Sequence, residues 1–340
     1  MRSATCLCSF VLAACSGHST TPTPPAPDTG MAAPRCTSTP TQLVTEAEIA
    51  PASLGVVGVE VPDLAIDASG LYFNITYTGQ NGAPGPTGHI MRFAFDGNPA
   101  SALADSPNPE RFAIVGDTLV WADDSARIRA VPLAGGSVRD VATTTGQPGW
   151  IASDGQTVYF NDSDGDKAVA LAGGAPQLLT ATPAFSASLI GSDLVLADFQ
   201  NGNLDRMPAA GGTIVQLASG QEGPLYPQPC AGGSALCWID GGTLQDTVGT
   251  LMQLGNAPGA APRQLSQDSW LWHAHGLASD AAAFYLTTDA LALVRVPAAG
   301  GAPEVLQMLN GDGDVVADDQ CLYYSTLDGV FSLAKDAAAM

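Results

Sequence analysis

The segment Ile128-Arg129-Ala130-Val131-Pro132-Leu133-Ala134-Gly135-Gly136 is followed by Ser137-Val138-Arg139-Asp140-Val141-Ala142: an apolar run, a Gly-Gly pair and a second β-prone run. Two adjacent glycines both accept the positive φ that a tight strand-to-strand turn demands, so the segment specifies a hairpin. The unit recurs. Turns of this kind stand at Gly97-Asn98, Gly135-Gly136, Gly173-Gly174, Gly211-Gly212 and Gly300-Gly301, with a decayed copy near Gly259, and the first four are spaced 38 residues apart. A fixed period of this length means one supersecondary unit repeated along the chain, each copy too small to bury its own faces.

Between the outer turns lie seven inner hairpins. They are Leu64-Ala65-Ile66 with Leu71-Tyr72-Phe73, Phe112-Ala113-Ile114 with Leu119-Val120-Trp121, and Trp150-Ile151-Ala152 with Val158-Tyr159-Phe160. Four more follow: Ser188-Leu189-Ile190 with Leu194-Val195-Leu196, Cys230-Ala231 with Leu236-Cys237-Trp238, Gly276-Leu277-Ala278 with Phe284-Tyr285-Leu286, and Val315-Val316-Ala317 with Leu322-Tyr323-Tyr324. Four short strands per unit and seven units predict an all-β, seven-bladed β-propeller. The last unit, ending at Val330-Phe331-Ser332-Leu333-Ala334-Lys335, has no outer strand after it, and Gln42-Leu43-Val44-Thr45-Glu46 is a strand with no unit of its own. The N-terminal strand is therefore expected to complete the last blade. Pro132, Pro208 and Pro297 recur at one place in three repeats and mark the end of the third strand, since proline disrupts a mid-strand ladder.

The second strands carry a nameable resemblance. Val120-Trp121-Ala122-Asp123, Tyr159-Phe160-Asn161-Asp162, Val195-Leu196-Ala197-Asp198 and Cys237-Trp238-Ile239-Asp240 are similar to the Tyr-Trp-Thr-Asp repeat. With Arg295-Val296-Pro297-Ala298-Ala299-Gly300-Gly301 they resemble low-density-lipoprotein-receptor-type and related bacterial cell-surface propellers, over about Leu64 to Lys335. Three blades depart, with Ile75, Thr288 and Thr326 where the Asp would stand. The motif belongs to the fold and transfers no activity.

Charge and termini bound the function. The chain is 340 residues with 12 Lys+Arg against 33 Asp+Glu, a net charge of −21, which repels phosphate backbones and excludes nucleic acid as the expected partner. No apolar run of the roughly eighteen residues a membrane span needs is present. At the N-terminus, Leu12-Ala13-Ala14-Cys15 resembles a bacterial lipobox, implying a signal peptide over 1–14 and acylation of Cys15. Residues 15–35, with Thr21-Pro22-Thr23-Pro24-Pro25-Ala26-Pro27 at their heart, have the composition of an extended tether, and 36–340 form the propeller domain. An exported protein on the bacterial outer membrane or cell surface is expected, held through its N-terminal lipid and otherwise monomeric. Of the remaining cysteines, Cys230 and Cys237 flank an inner turn, and Cys36 and Cys321 would tie the start of the domain to its end; an even number in an exported chain points to two disulfides. A metal site built from these four is the alternative, disfavoured by the spacing and the lack of a nearby His.

Propellers present their chemistry where the innermost strands begin, at the mouth of the central channel. Aligning the blades places Asp63, Arg111, Trp150, Ser186, Gln228, Gly276 and Asp314 at one level there, with Glu110, His275 and Asp312 just beyond. The candidate ligand residues are Asp63, Glu110, Arg111, Trp150, Gln228, His275 and Asp314, with Trp150 as a stacking platform and Arg111 as a carboxylate anchor. A wet channel that contacts only water is the plain alternative. His273 and His275 form a two-imidazole pair that Asp312 or Asp314 can extend toward a metal. Asp162-Ser163-Asp164-Gly165-Asp166 and Asn310-Gly311-Asp312-Gly313-Asp314 have calcium-like alternation, but Lys167 and Gly173 depart from the EF-hand pattern, so tight Asp/Gly turns account for them better. No cofactor is expected, calcium being the weak exception. No phosphate loop and no nucleophile elbow occur. The expected function is a non-enzymatic binding or scaffold module for a protein or glycan; the competing class is a lyase or hydrolase working at the channel mouth.

Overall fold

The second strand of each repeat is apolar on both faces, and that decides the architecture. In Thr118–Asp123, Leu119 and Trp121 pack with Tyr72 and Ile90 of the preceding unit, whereas Val120 and Ala122 pack with Val158 and Phe160 of the following one. A sheet of this kind must be covered twice, and a ring of identical sheets covers every one. The computed structural model describes residues 35–49, 58–78, 87–230, 233, 235–241, 247–257 and 259–340. In it the chain forms seven antiparallel sheets in a ring, and the seven apolar clusters among the described residues fall one to each blade–blade interface. The leader, Cys15, the tether up to Pro34 and the Thr243–Asp246 stretch of the fifth unit lie outside the described residues.

The innermost strands, blades 1 to 7, are Leu64–Asp67, Pro109–Val115, Ile151–Ser153, Ser186–Ile190, Pro224–Pro229, Ala274–Ser279 and Val315–Ala317. The ring closes as the sequence predicts. Thr41–Thr45 pairs antiparallel with Gly329–Ala334, Thr41 opposite Ser332 and Thr45 opposite Gly329. Both disulfides form, Cys36–Cys321 across the seam and Cys230–Cys237 within blade 5. The third strands end at Pro132, Pro208 and Pro297. The Gly135-Gly136 turn uses φ of +82° and +136°, the conformations its sequence requires.

Three local features differ from expectation. The innermost strand of blade 5 is Pro224–Pro229, not a segment opening at Cys230, which instead sits in the turn with its N–H donated to the Ala235 carbonyl at 2.9 Å. An innermost strand has a ladder on one side only, so residues without an N–H are tolerated, and Tyr226-Pro227 bulge out between Leu225 and Gln228. A further strand, Gly58–Glu60, extends blade 1 by pairing with the far end of Gly70–Thr78. A single helical turn, Glu46–Ile49, follows the closing strand. No helix among the described residues is long and apolar enough to cross a membrane.

At the face where the inner hairpins turn, four blades share a clamp. Asp67, Asp154, Asp280 and Asp318 each accept two backbone N–H groups of their own turn on one carboxylate oxygen and the hydroxyl of Tyr72, Tyr159, Tyr285 or Tyr323 on the other, at 3.0–3.3 Å. In all three of Asp154, Asp280 and Asp318 burial opposes ionisation, but the carboxyls are held below their ordinary value, in Asp154 and Asp318 by these donors and in Asp280 first by the Lys335 ammonium at 2.7 Å and then by its two turn N–H groups. In blade 5, Cys237 occupies the position of the Tyr, third in its strand Ala235–Asp240, and the disulfide to Cys230 replaces the clamp.

Candidate functional site

The opposite face, where the innermost strands begin, is positioned by a polar residue fifth in the second strand of four blades. Asn74 in blade 1 accepts the N–H of Asp63 at 2.9 Å and donates to the Pro109 carbonyl of blade 2 at 2.7 Å. Asn161 in blade 3 accepts the N–H groups of Gly149 and Trp150 and donates to the Ala184 carbonyl of blade 4. Thr287 donates to the Gly313 carbonyl, and Ser325 donates to the Val61 carbonyl while accepting the N–H of Asp314. These side chains are buried and fully engaged, so each fixes the first residue of its own inner strand, the start of the next blade, or both. The motif Asp residues do a related job: Asp162 and Asp240 accept N–H groups of Thr145 and Glu222 from the connection out of the preceding blade.

The mouth that results is a built surface. Asp63, Arg111, Trp150, Ser186 and Gln228, aligned by sequence, all line one cavity of about 230 Å³ together with Phe185 and Tyr226. Arg111 is the bulged residue between Glu110 and Phe112, at φ +40°. That left-handed backbone aims both its N–H and its guanidinium at Asp63, at 3.0 Å and 3.1 Å, and the pairing holds the guanidinium charged, its pKa raised by Asp63. Asn74 donates to the same carboxylate at 3.0 Å. Tyr226, also left-handed at φ +50°, donates its N–H to the Ser186 hydroxyl. Burial pushes its phenol up to about 12, with Arg111 pulling the other way and Asp314, Asp63 and Asp289 adding to the rise.

Asp314 keeps part of its surface open to the channel yet is enclosed by protein on its other sides. Burial, then the charge of Asp63, push its carboxyl up to about 7 against the N–H groups of Leu64 and Val315, donated at 2.9 Å and 2.8 Å. Gly276 is required beside it, because a Cβ there would stand 2.2 Å from Asp314 Oδ1. Glu110 is likewise raised by burial, with Arg111 opposing. Trp150 contributes only an edge: it is 4% exposed and packs with Tyr159 and Leu196 between blades 3 and 4. The exposed aromatic of the cavity is Phe185, 55% exposed, with Phe199 tilted against it at 5.1 Å.

Blade 6 departs from its neighbours in a consequential way. Thr288 stands where the motif Asp would, buried, its hydroxyl unpartnered, and the acid comes one residue later. Shifted by one, Asp289 faces the mouth and takes His275 Nε2 at 2.5 Å and His273 Nδ1 at 3.3 Å. Asp312 lies 3.6 Å from His275. His275, Asp289 and Asp312 each offer one ligand atom within 4.8 Å of the others, a spacing that the His275–Asp289 hydrogen bond already brings about. Asp289, Tyr226 and Phe185 are mouth residues that the strand alignment missed, Phe185 standing one residue before the aligned Ser186. The signals for Asp289 and Tyr226 were the misplaced acid of blade 6 and the extra residues of the blade 5 bulge.

The two calcium-like stretches do not gather their oxygens. Lys167 Nζ sits between Asp162 and Asp164 at 2.8 Å and 3.1 Å, while Asp166 turns inward with no exposed surface. Asn310 donates to Asp328, and Asp314 accepts the Leu64 and Val315 N–H groups.

No family model matches this chain, and no curated protein matches it. Solved structures do. A catalytically inactive histidine-to-alanine variant of virginiamycin B lyase from Staphylococcus aureus, solved with quinupristin, is 12% identical over 87% of this chain and 99% of its own, with a TM-score of 0.63. The β-propeller domain of Cps50 (Swd1) from Myceliophteria thermophila is 12% identical over 82% and 99%, with a TM-score of 0.61. A chain of the nidogen/laminin complex is 22% identical over 63% and 87%, with a TM-score of 0.50. Likeness at these identities is a likeness of fold, and with seven sheets in a ring it makes the chain a seven-bladed β-propeller.

Proposed function

We propose that the protein is a ligand-binding propeller of the bacterial envelope, anchored through an acylated Cys15 and binding at its channel mouth. One observation carries the proposal. Residues from six consecutive blades converge on a single cavity whose wall is held by a strained, doubly bonded Arg111–Asp63 pair. Backbone strain at a concave polar site persists only where surrounding structure imposes it, as Asn74 does here. A cavity near 230 Å³ has the liquid volume of about seven or eight waters. It admits a small molecule, one sugar ring, or one side chain of a larger partner.

The test is thermal unfolding of the full-length chain against a panel of small polar metabolites, monosaccharides and amines. A ligand at a hundred times its Kd stabilises by about 2.7 kcal/mol. That shift is expected to vanish in Arg111→Ala. A shift that survives in Arg111→Ala places the site elsewhere. Metabolic labelling with palmitate, lost in Cys15→Ser, tests the anchor.

An enzyme is the competing class, and a specific observation favours it: His275 and Asp289 form a base and its orienting group at the edge of the mouth. The lyase neighbour is inactivated by a histidine-to-alanine change, which makes His275→Ala the variant to compare. An enzyme loses turnover in His275→Ala while keeping its ligand; a binding module shows no turnover to lose.

A further inference from the structure

The mouth is polarised around the ring. Going round the blades, Asp289 lies at the end of the second strand of blade 6, Asp312 and Asp314 at the start of blade 7, Asp63 at the start of blade 1, and Glu110 at the start of blade 2. The opposite arc is aromatic: Phe185 backed by Phe199 at blade 4 and Tyr226 at blade 5, with only the edge of the buried Trp150 at blade 3. Arg111 is the only Lys or Arg among the described residues lining the cavity, and its Nη1 and backbone N–H are both spent on Asp63. Among the described residues Asp314 forms no ion pair; its two bonds come from backbone N–H groups. The two imidazoles are engaged by Asp289.

Resting on the mouth as the ligand site, we propose that its ligand is an amphipathic organic cation, with an ammonium head on the arc of blades 6, 7, 1 and 2 and an aromatic or branched apolar body on the arc of blades 3 to 5. The acidic arc alone would suit any cation. The second feature selects an organic one: Phe185 is 55% exposed at the cavity wall. An apolar body covers Phe185 and gains from its ring face. An anion is disfavoured because the carboxylates of the arc repel it and the guanidinium is already paired. The excess of negative charge also draws cations to the mouth from solution.

The experiment is isothermal titration of the full-length chain with three probes that share one body: tryptamine, tryptophol and indole-3-propionate, cationic, neutral and anionic. Tryptamine is expected to bind about ten-fold more tightly than tryptophol, and indole-3-propionate more weakly still. The tryptamine advantage is expected to shrink at high salt and in Glu110→Gln, and Phe185→Ala to weaken tryptamine and tryptophol alike. Asp314→Asn is a second acidic variant; because Asp314 holds two backbone N–H groups, Glu110→Gln and the salt series stand on their own if it misfolds. Equal affinity across the three probes, lost in Phe185→Ala, overturns the cation while the mouth remains a binding site. No binding of any probe overturns both the cation and the mouth. Tryptamine binding untouched by Glu110→Gln and Phe185→Ala also overturns the assignment, since the contact then lies elsewhere.

Discussion

At the residue scale, two positions make opposite demands on their surroundings. Asp166 has no exposed surface; one oxygen accepts the Ala184 N–H at 3.0 Å and the other has no partner. Burial pushes its carboxyl up to about 7, against the pull of the Ala184 N–H and the neighbouring Trp150. A carboxyl raised on folding favours the fold while protonated, so this contribution is complete below its ordinary value of 3.8 and is lost as pH rises to about 7. Asp166→Asn is therefore expected to raise Tm above pH 7 and to leave it unchanged near pH 4, as followed by calorimetry across that range. Gly276 makes the other demand, for empty space. A Cβ at that position meets Asp314 Oδ1 at 2.2 Å and the Val315 nitrogen at 2.7 Å, so Gly276→Ala should destabilise by about 1–3 kcal/mol in denaturant unfolding and displace Asp314. Neither residue announces its role in sequence, because burial and close approach depend on the blade next door.

At the element scale, the second strand is the working unit of each blade. Its odd and even positions fill two interfaces, its fifth position pins the mouth, and its sixth ties down the preceding connection. Asn161→Ala should leave the Gly149 and Trp150 N–H groups and the Ala184 carbonyl unpaired, for a loss of about 3 kcal/mol. Ala122, at the same position of blade 2, makes no such bonds, so Ala122→Ser is expected to cost far less than Asn161→Ala in the same unfolding measurement. The alternation and the motif Asp were legible because they recur. The fifth-position residues were present in the sequence as Asn74, Asn161, Thr287 and Ser325, but their partners lie 11 to 264 residues away and vary from blade to blade. The displaced acid of blade 6 was visible as a missing motif Asp at Thr288. Its consequence, Asp289 turned toward two imidazoles, needed the strand's final twist.

At the scale of the whole molecule, closure is the decisive event. Cys36 and Cys321 are 285 residues apart, and Thr41–Thr45 completes the last blade beside them. Arg35 adds an ion pair to Asp318 at 3.2 Å and stacks over Phe95 at 4.3 Å. In the chain-entropy picture a loop of this length is worth about 5.6 kcal/mol, and the short Cys230–Cys237 loop somewhat under half of that. Cys36→Ser with Cys321→Ser is thus expected to lower the unfolding midpoint about twice as far as Cys230→Ser with Cys237→Ser. If the short bridge proves the more costly to lose, the seam is held by strand pairing and packing alone.

Repetition let local chemistry speak for the global fold. The Gly-Gly turns, the two-faced second strands and the orphan strand at Gln42–Glu46 determined the seven-bladed, N-terminally closed ring, because each copy of the unit carries the same instructions and ring closure is the one way to cover every face. The even cysteines determined the two bridges for the same reason, since the turn and the seam bring each pair within reach. The mouth is different. Which residues stand at its level followed from aligning the strands, but the bulges at Arg111 and Tyr226, the burial that lifts Asp314, the withdrawal of Trp150 into an interface and the exposure of Phe185 arise between blades. Those contacts join residues from different copies of the repeat, where the copies have diverged, and only the tertiary structure decides how the differences meet.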